Sequence, residues 1–367
     1  MLRRIITGTI LLVPLLATLV AGCDRSPGGS AQKRIILLNN TNSPFWDACR
    51  AGLQAASKDL KFDEAGLRAV FEVNTGTPQG QLDKLRQFGT QPDIVGIAIS
   101  AADANNVAVA EEMRRLRAKG VHVICVDGDV GESLQDARAF YLGTDNRTAG
   151  RVLGTATATL LDSRGVKEGS YVQFVGRTGA FNAIQRMDGV KETLGAKFRE
   201  ADRMGDNVDR SKAQENVRNA LLNHPDVVAL IGIWSYNAPA IVTVLDGNPR
   251  QREKVVVSCF DAEPIAITDM GEGKIDVMIV QDPYDMGYQS VRLLKALVQD
   301  DQKTVKQMYP QAGQPGGDIY ETGLKVVAPD KGSPLTAASF QEYGNKLKFM
   351  PLAEFKKWLA NYGLSGS

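Results

Sequence analysis

One short pattern occurs twice in this chain. Residues 121–127 read VHVICVD, and residues 255–261 read VVVSCFD. Each is a β-branched apolar run of the kind a strand buried on both faces requires, and each ends in a lone carboxylate. In an open parallel sheet, ligands sit beyond the carboxyl ends of the strands. Asp127 and Asp261 are therefore expected at the rims of two sheets, one in each half of the chain, both pointing into a shared cleft. Two unrelated strands, each followed by a turn-favouring Asp, would give the same pair of runs. The rest of the chain separates these readings.

A chain of 367 residues suits two domains of ordinary size, and 43% hydrophobic with 23% charged residues describes a soluble globular protein. The formal net charge is +1, and loss of Arg3 and Arg4 with a leader would bring it to −1. No basic field invites nucleic acid. The four cysteines include no CxxC pair, and His122 and His224 are the only histidines, which argues against a zinc site. Cys49, Cys125 and Cys259 read as buried core thiols. The sequence has no GxGxxG, Walker loop, HExxH or GxSxG, so no cofactor is expected and the chain is not read as an enzyme.

Arg3 and Arg4 precede an apolar run over residues 5–20, a basic n-region followed by an h-region. The run is shorter than the roughly 20 residues a spanning helix needs. It ends in Leu19-Val20-Ala21-Gly22-Cys23, which resembles the lipobox of bacterial lipoproteins. That resemblance implies a signal peptide over residues 1–22 and acylation of Cys23. The alternative is a helical membrane anchor with an incidental cysteine. Asp24 resembles the signal that retains a lipoprotein on the inner membrane of Gram-negative cells. Residues 23–32, with Ser26-Pro27-Gly28-Gly29-Ser30, read as a flexible tether. The expected location is the periplasm, lipid-anchored to the inner membrane.

Beyond the tether, periodicity predicts strands at 34–38, 69–73, 93–99 and 121–127. Helices start at Ser43-Pro44, at Thr77-Pro78 and after Ser100 as N-cap, the last running to Lys119. This is βαβαβαβ, a doubly wound parallel sheet. The pattern restarts with strands at 171–175, 227–233, 255–261 and 275–280, separated by helices at 182–194, 210–223 and 238–245. An amphipathic helix over 283–298 and a strand at 324–327 follow. Residues 339–364, with Phe349, Phe355, Trp358 and Tyr362, have the spacing of one docked helix.

Taken together, these stretches resemble the periplasmic sugar-binding proteins of ABC importers, of the ribose-binding type. Asn42-Ser43-Pro44-Phe45-Trp46 resembles that family's turn after the first strand, and Val126-Asp127 and Phe260-Asp261 its strand-end aspartates. Arg186 in Gln185-Arg186-Met187-Asp188-Gly189 resembles its R-x-x-G-F element. His224-Pro225-Asp226-Val227 resembles its turn before the next strand, and Gln281 stands at its hinge glutamine. The resemblance implies an α/β type I fold: two Rossmann-like lobes of doubly wound parallel sheet joined by a three-strand hinge. Residues 33–142 plus 283–319 would form the first lobe and 144–281 plus 320–330 the second. Residues 331–367 would be an extension carrying an amphipathic helix.

The residue types suit a monosaccharide or similar small polyol. An ionised Asp accepts from two adjacent hydroxyls, and Arg186 offers donors in a fixed fork. Asn39, Ser43, Asn146 and Gln281 add polar contacts, while Phe45, Trp46 and Trp234 can lie against the sugar's C–H faces. Competing structural roles are helix packing for Trp46, strand core for Trp234, a surface ion pair for Arg186, and turn formation for Asn39 and Asn146. The resemblance implies a monomer that closes on its ligand and delivers it to an ABC permease and its ATPase. A lipid-anchored sensor presenting a ligand to a chemoreceptor or receptor kinase is the alternative. A glycosidase pair of carboxylates and a sugar-responsive repressor core fit less well. The chain departs from ribose binders at Gly128, Val208 and Trp234, where they carry Arg, an aromatic residue and Asn.

Overall fold

The structure, a computed structural model, describes residues 32–195, 197–344 and 347–367. The expected signal peptide, Cys23 and the tether through residue 31 lie outside the described residues. The chain begins β1 (Lys33–Leu38), α1 (Pro44–Asp59), β2 (Leu67–Glu72), α2 (Pro78–Phe88), β3 (Ile94–Ile99), α3 (Val107–Ala118), β4 (His122–Val126) and β5 (Tyr141–Gly143). It continues with α4 (Asn146–Ser163), β6 (Ser170–Val175), α5 (Phe181–Leu194), β7 (Arg199–Gly205), α6 (Arg210–Asn223) and β8 (Val227–Gly232). Next come α7 (Asn237–Asp246), α8 (Pro249–Lys254), β9 (Val256–Phe260), α9 (Pro264–Gly271) and β10 (Val277–Val280). The last elements are α10 (Pro283–Val298), α11 (Gln302–Met308), β11 (Ile319–Glu321), β12 (Leu324–Ala328), β13 (Leu347–Pro351) and α12 (Leu352–Asn361).

Among the described residues two sheets form. The first has the order β11-β5-β4-β3-β1-β2, and every neighbour pair is parallel. The second has the order β13-β12-β10-β9-β8-β6-β7 and is parallel except between β10 and β12. The recurring motif supplies β4 and β9, both interior strands. Residues Val123–Val126 and Val256–Phe260 are fully buried, because helices cover both faces of each sheet. In the first lobe, Ile35 and Leu37 pack with Leu53 of α1 and Leu294 of α10, while Ile36 and Leu38 pack with Leu85 and Met113 on the other face.

The helix starts follow local chemistry. Pro44 and Pro78 occupy first-turn positions, and the Thr77 side chain accepts from the Gly80 amide at 3.1 Å. Ser100, expected as the cap of α3, is not one. Asn106 caps that helix, accepting from Val109 at 3.0 Å, and Ser100 faces Asp127 instead. The expected single tail helix is also corrected: residues 337–343 form a 3-10 turn, β13 adds an edge strand, and only α12 is helical. Phe349 therefore stacks on Phe340 from a strand, while Phe355 and Trp358 stack on each other along α12. Strand β7, READRMG, was not expected, since as a polar edge strand it carries no apolar run. β11 spans the expected lobe boundary at 319/320 and pairs with β5 of the first sheet.

The chain leaves one lobe for the other after β5, after β10 and after β11. Helix α10 carries Leu293 and Leu294 into the first lobe's core, and α4 carries Leu153 and Ala156 into the second's. These crossings place the carboxyl ends of β4 and β9 opposite one another. No helix among the described residues is long and apolar enough to cross a membrane.

Candidate functional site

Asp127 and Asp261 each take the first position after their strand, in the left-handed region with φ of +60° and +61°. Asp tolerates that conformation better than most side chains do. It turns the chain off the sheet and aims both carboxylates into one cavity of about 200 Å³ between the lobes. Each aspartate is only 4% exposed.

Arg186 reaches the same cavity from α5 and is only 1% exposed. Its Nε donates to Asn146 Oδ1 at 2.9 Å and its Nη1 to the Ile233 carbonyl at 3.1 Å. The guanidinium lies 4.4 Å from the Phe260 ring centroid, and its Nη1 is 3.8 Å from Asp261. Its Nη2 has no hydrogen-bond partner. A buried donor of this kind calls for an acceptor.

Gln281 follows β10 at a crossover. Its Nε2 donates to both Asp261 oxygens at 3.1 and 3.0 Å, and its Oε1 accepts from Thr144 of the first crossover at 2.9 Å. One side chain thus ties two crossing strands to a cavity carboxylate. Ser43, Phe45, Trp46 and Trp234 also line the cavity. Trp46 both packs and lines: it meets Phe45 edge-on at 5.1 Å and donates from Nε1 to Asn40 at 3.2 Å. Trp234 donates from Nε1 to Asn182 at 3.2 Å.

Two expected site residues stand behind the wall. Asn39 is fully buried, with Nδ2 donating to the Thr41 carbonyl at 2.7 Å and Oδ1 accepting from the Asn74 amide at 2.6 Å. Asn40, one position on, lines the cavity in its place. Asn146 is occupied by Arg186 and by the Thr144 carbonyl, so it orients the arginine rather than facing the cavity.

Sequence reasoning missed Arg177, Arg210, Ser235 and Glu263, all on the lining. Arg210 Nη2 donates to both Glu263 oxygens at 3.0 and 3.1 Å, and Ser235 donates to Glu263 at 3.1 Å. Arg177 crosses the cleft from the second lobe to the carbonyls of Gly76 and Ala102. Val208 lines the wall at φ +68°, an unusual conformation for a β-branched residue. Its amide donates to buried Asp206 at 2.8 Å, and Asp206 also accepts from Tyr236 and Asn237. Gly128 is explained by space, since a Cβ there would stand 2.8 Å from the Ala101 carbonyl oxygen.

Burial pushes the Asp127 carboxyl up to about 6, against the pull of Arg186; the nearby Asp261 charge adds to the rise and the Ser100 hydrogen bond opposes it. Burial also raises Asp261, opposed by Arg186 and Gln281. The three described cysteines are free and buried, and burial drives their thiols upward. The described residues contain no cluster of metal ligands.

Residues 35–303, which hold the interior strands β4 and β9 and both strand-end aspartates, match a family model described as periplasmic binding protein domain. The chain belongs to that family. This periplasmic binding protein is 20% identical over 268 residues to the ribose import binding protein RbsB of Bacillus subtilis (strain 168), covering 71% of this chain and 81% of that one. A solute-binding protein of an ABC transporter from Burkholderia graminis C4D1M, solved in complex with D-arabinose, superimposes with a TM-score of 0.70 at 25% identity. That match covers 84% of this chain and 99% of the other. A solute-binding protein from Agrobacterium vitis with bound D-fucose gives 0.69 at 18% identity, covering 81% and 96%.

Proposed function

We propose that this periplasmic binding protein takes an uncharged monosaccharide or similar small polyol in the inter-lobe cavity and hands it to an ABC-type importer. The observation that carries the reading is the meeting of Asp127, Asp261 and Arg186 at one cavity, with the buried Nη2 of Arg186 unpartnered. Two acceptors and a donor from separate elements suit a ring of vicinal hydroxyls. The cavity lining includes three carboxylates (Asp127, Asp261, Glu263) and three guanidinium groups (Arg177, Arg186, Arg210), a balance that favours an uncharged guest. Its volume of about 200 Å³ lies below the roughly 300–1,000 Å³ of drug-sized pockets, which favours one sugar ring over several.

The ligand touches both lobes only when they are closed, so it shifts the open–closed equilibrium by its difference in affinity for the two states. Thr144, Gln281 and Asp261 link that closure to the hinge. No covalent chemistry is part of the reading. The protein acts outside the cytoplasm as a monomer, held to the inner membrane by lipid on Cys23. In that case Cys23→Ser leaves an unlipidated precursor, and a lipid-labelled product from that variant would contradict the anchor.

A thermal-shift screen of residues 24–367 against pentoses, hexoses, inositols and other small polyols tests the function. A ligand at 100 times its Kd stabilises by about 2.7 kcal/mol, a shift of several degrees. A panel in which no member moves Tm would contradict the reading.

A further inference from the structure

We infer that residues 363–367 are a positioning strap for the binding carboxylate Asp261; the inference rests on the function proposed above. Ala262, directly after Asp261, is fully buried, and its backbone N–H and C=O need partners. Both are supplied by Ser367: the Ala262 amide donates to the Ser367 carbonyl at 2.8 Å, and the Ser367 amide donates back at 3.0 Å. Ser367 is itself fully buried, yet its Oγ has no partner, so its role is carried by backbone.

The first lobe solves the same problem differently. There the residue after Asp127 is Gly128, whose carbonyl accepts from the Ala101 amide at 2.9 Å and whose amide donates to Ser100 Oγ at 3.1 Å. The loop after the adjacent strand β3 therefore braces the first aspartate. In the second lobe the corresponding loop after β8 carries Trp234, whose amide turns to Asn237 Oδ1 at 3.0 Å. The strap provides the brace that this loop does not.

The sequence of the strap fits that task. Gly363, at φ +66°, ends α12: its amide donates to the Ala360 carbonyl at 3.1 Å and the Leu364 amide to the Leu359 carbonyl at 3.0 Å. This is a Schellman turn, and it redirects the chain toward β9. Gly366 lies so close that a Cβ would stand 2.6 Å from the Ala262 carbonyl oxygen and 2.9 Å from Pro264 Cδ. Just before the strap, the Tyr362 ring packs 4.3 Å from Tyr284 in the first turn of α10, beside the Gln281 crossover.

The test is hydrogen–deuterium exchange on the full chain without ligand, comparing wild type, Gly366→Val, a variant lacking residues 366–367, and Ser367→Ala. In Gly366→Val and in the shortened variant, exchange in a peptide covering 258–264 should accelerate at least tenfold, with a peptide covering 123–128 unchanged. Ser367→Ala should match wild type, because its hydroxyl holds nothing. Unchanged exchange at 258–264 in the first two variants would overturn the strap, and so would acceleration in Ser367→Ala. Titration with D-arabinose, D-ribose and D-galactose is the second arm. A sugar that binds wild type should bind Gly366→Val at least tenfold more weakly while the variant still unfolds cooperatively, and equal affinity would overturn the positioning role. If none of the three binds wild type, the proposed function is what loses support, while the exchange result still decides the strap.

Discussion

Asp127 and Asp261 adopt the same left-handed backbone, φ +60° and +61°, at the ends of two strands that read almost alike. The shared conformation is what turns each carboxylate from its own sheet into the common cavity. Their surroundings differ. Asp261 receives both Gln281 and its Arg186 neighbour, whereas the Asp127 side chain accepts one hydrogen bond, from Ser100 at 3.2 Å. Asp127 therefore keeps the larger free acceptor capacity.

Ligand affinity should fall as pH drops through about 6, the value to which burial raises Asp127. An ionised carboxylate accepts from two hydroxyls, and a protonated one has lost part of that capacity. With binding confined to the ionised form, Kd at pH 5 should be about tenfold weaker than its plateau above pH 7. Calorimetric titration at pH 5, 6 and 7.5 checks this, and a pH-independent Kd would contradict it.

The same shift makes Asp127 costly to the ligand-free fold. Its folded value, about 6, lies above the ordinary 3.8. It costs nothing below pH 3.8, where the carboxyl is protonated whether folded or unfolded, and stability is lost as pH rises from there through about 6. Asp127→Asn should therefore stabilise the empty protein at pH 7.5, by at most about 2–3 kcal/mol, and the gain should vanish near pH 4. Urea unfolding at the two pH values measures it, and a destabilised variant at pH 7.5 would contradict the assignment.

Replacing Arg186 by Met should cost both fold and binding. Asn146 Oδ1 and the Ile233 carbonyl would be left without a donor, a loss of about 2 kcal/mol in unfolding free energy. The lost charged donor should weaken ligand binding by tenfold or more. Arg186→Lys should not rescue it, because one ammonium cannot replace a planar fork. Full affinity in the Lys variant would contradict the role given to Nη2.

Introducing at position 128 the arginine expected of ribose binders should not create a better ribose site. A Cβ there meets the Ala101 carbonyl oxygen at 2.8 Å and Ser100 Oγ at 2.9 Å. Gly128→Arg should destabilise by about 1–3 kcal/mol through overpacking, with no gain in D-ribose affinity. A variant as stable as wild type, or one with tighter ribose binding, would contradict this.

The strands buried on both faces were legible because burial forces a continuous apolar run, and the carboxylate after each marked the cleft. Arg186 and Gln281 were legible through resemblance, since no periodicity singles out a buried arginine on a helix. Polar strand β7 was hidden by its edge position. Asn39 and Asn40 show the limit of a motif: adjacent residues in a turn point opposite ways, and composition cannot say which faces the cavity. No motif or spacing singles out Arg210 and Glu263, and only the fold brings α6 against the loop after β9. The embrace of Ala262 by Ser367 spans too much sequence for any local signal.

The most direct measurement is calorimetry of wild type, Asp127→Ala and Asp261→Ala with a polyol selected by thermal shift. The account predicts one site per chain in wild type and loss of tight binding in both variants, each still unfolding cooperatively. Wild-type affinity in both variants would contradict it.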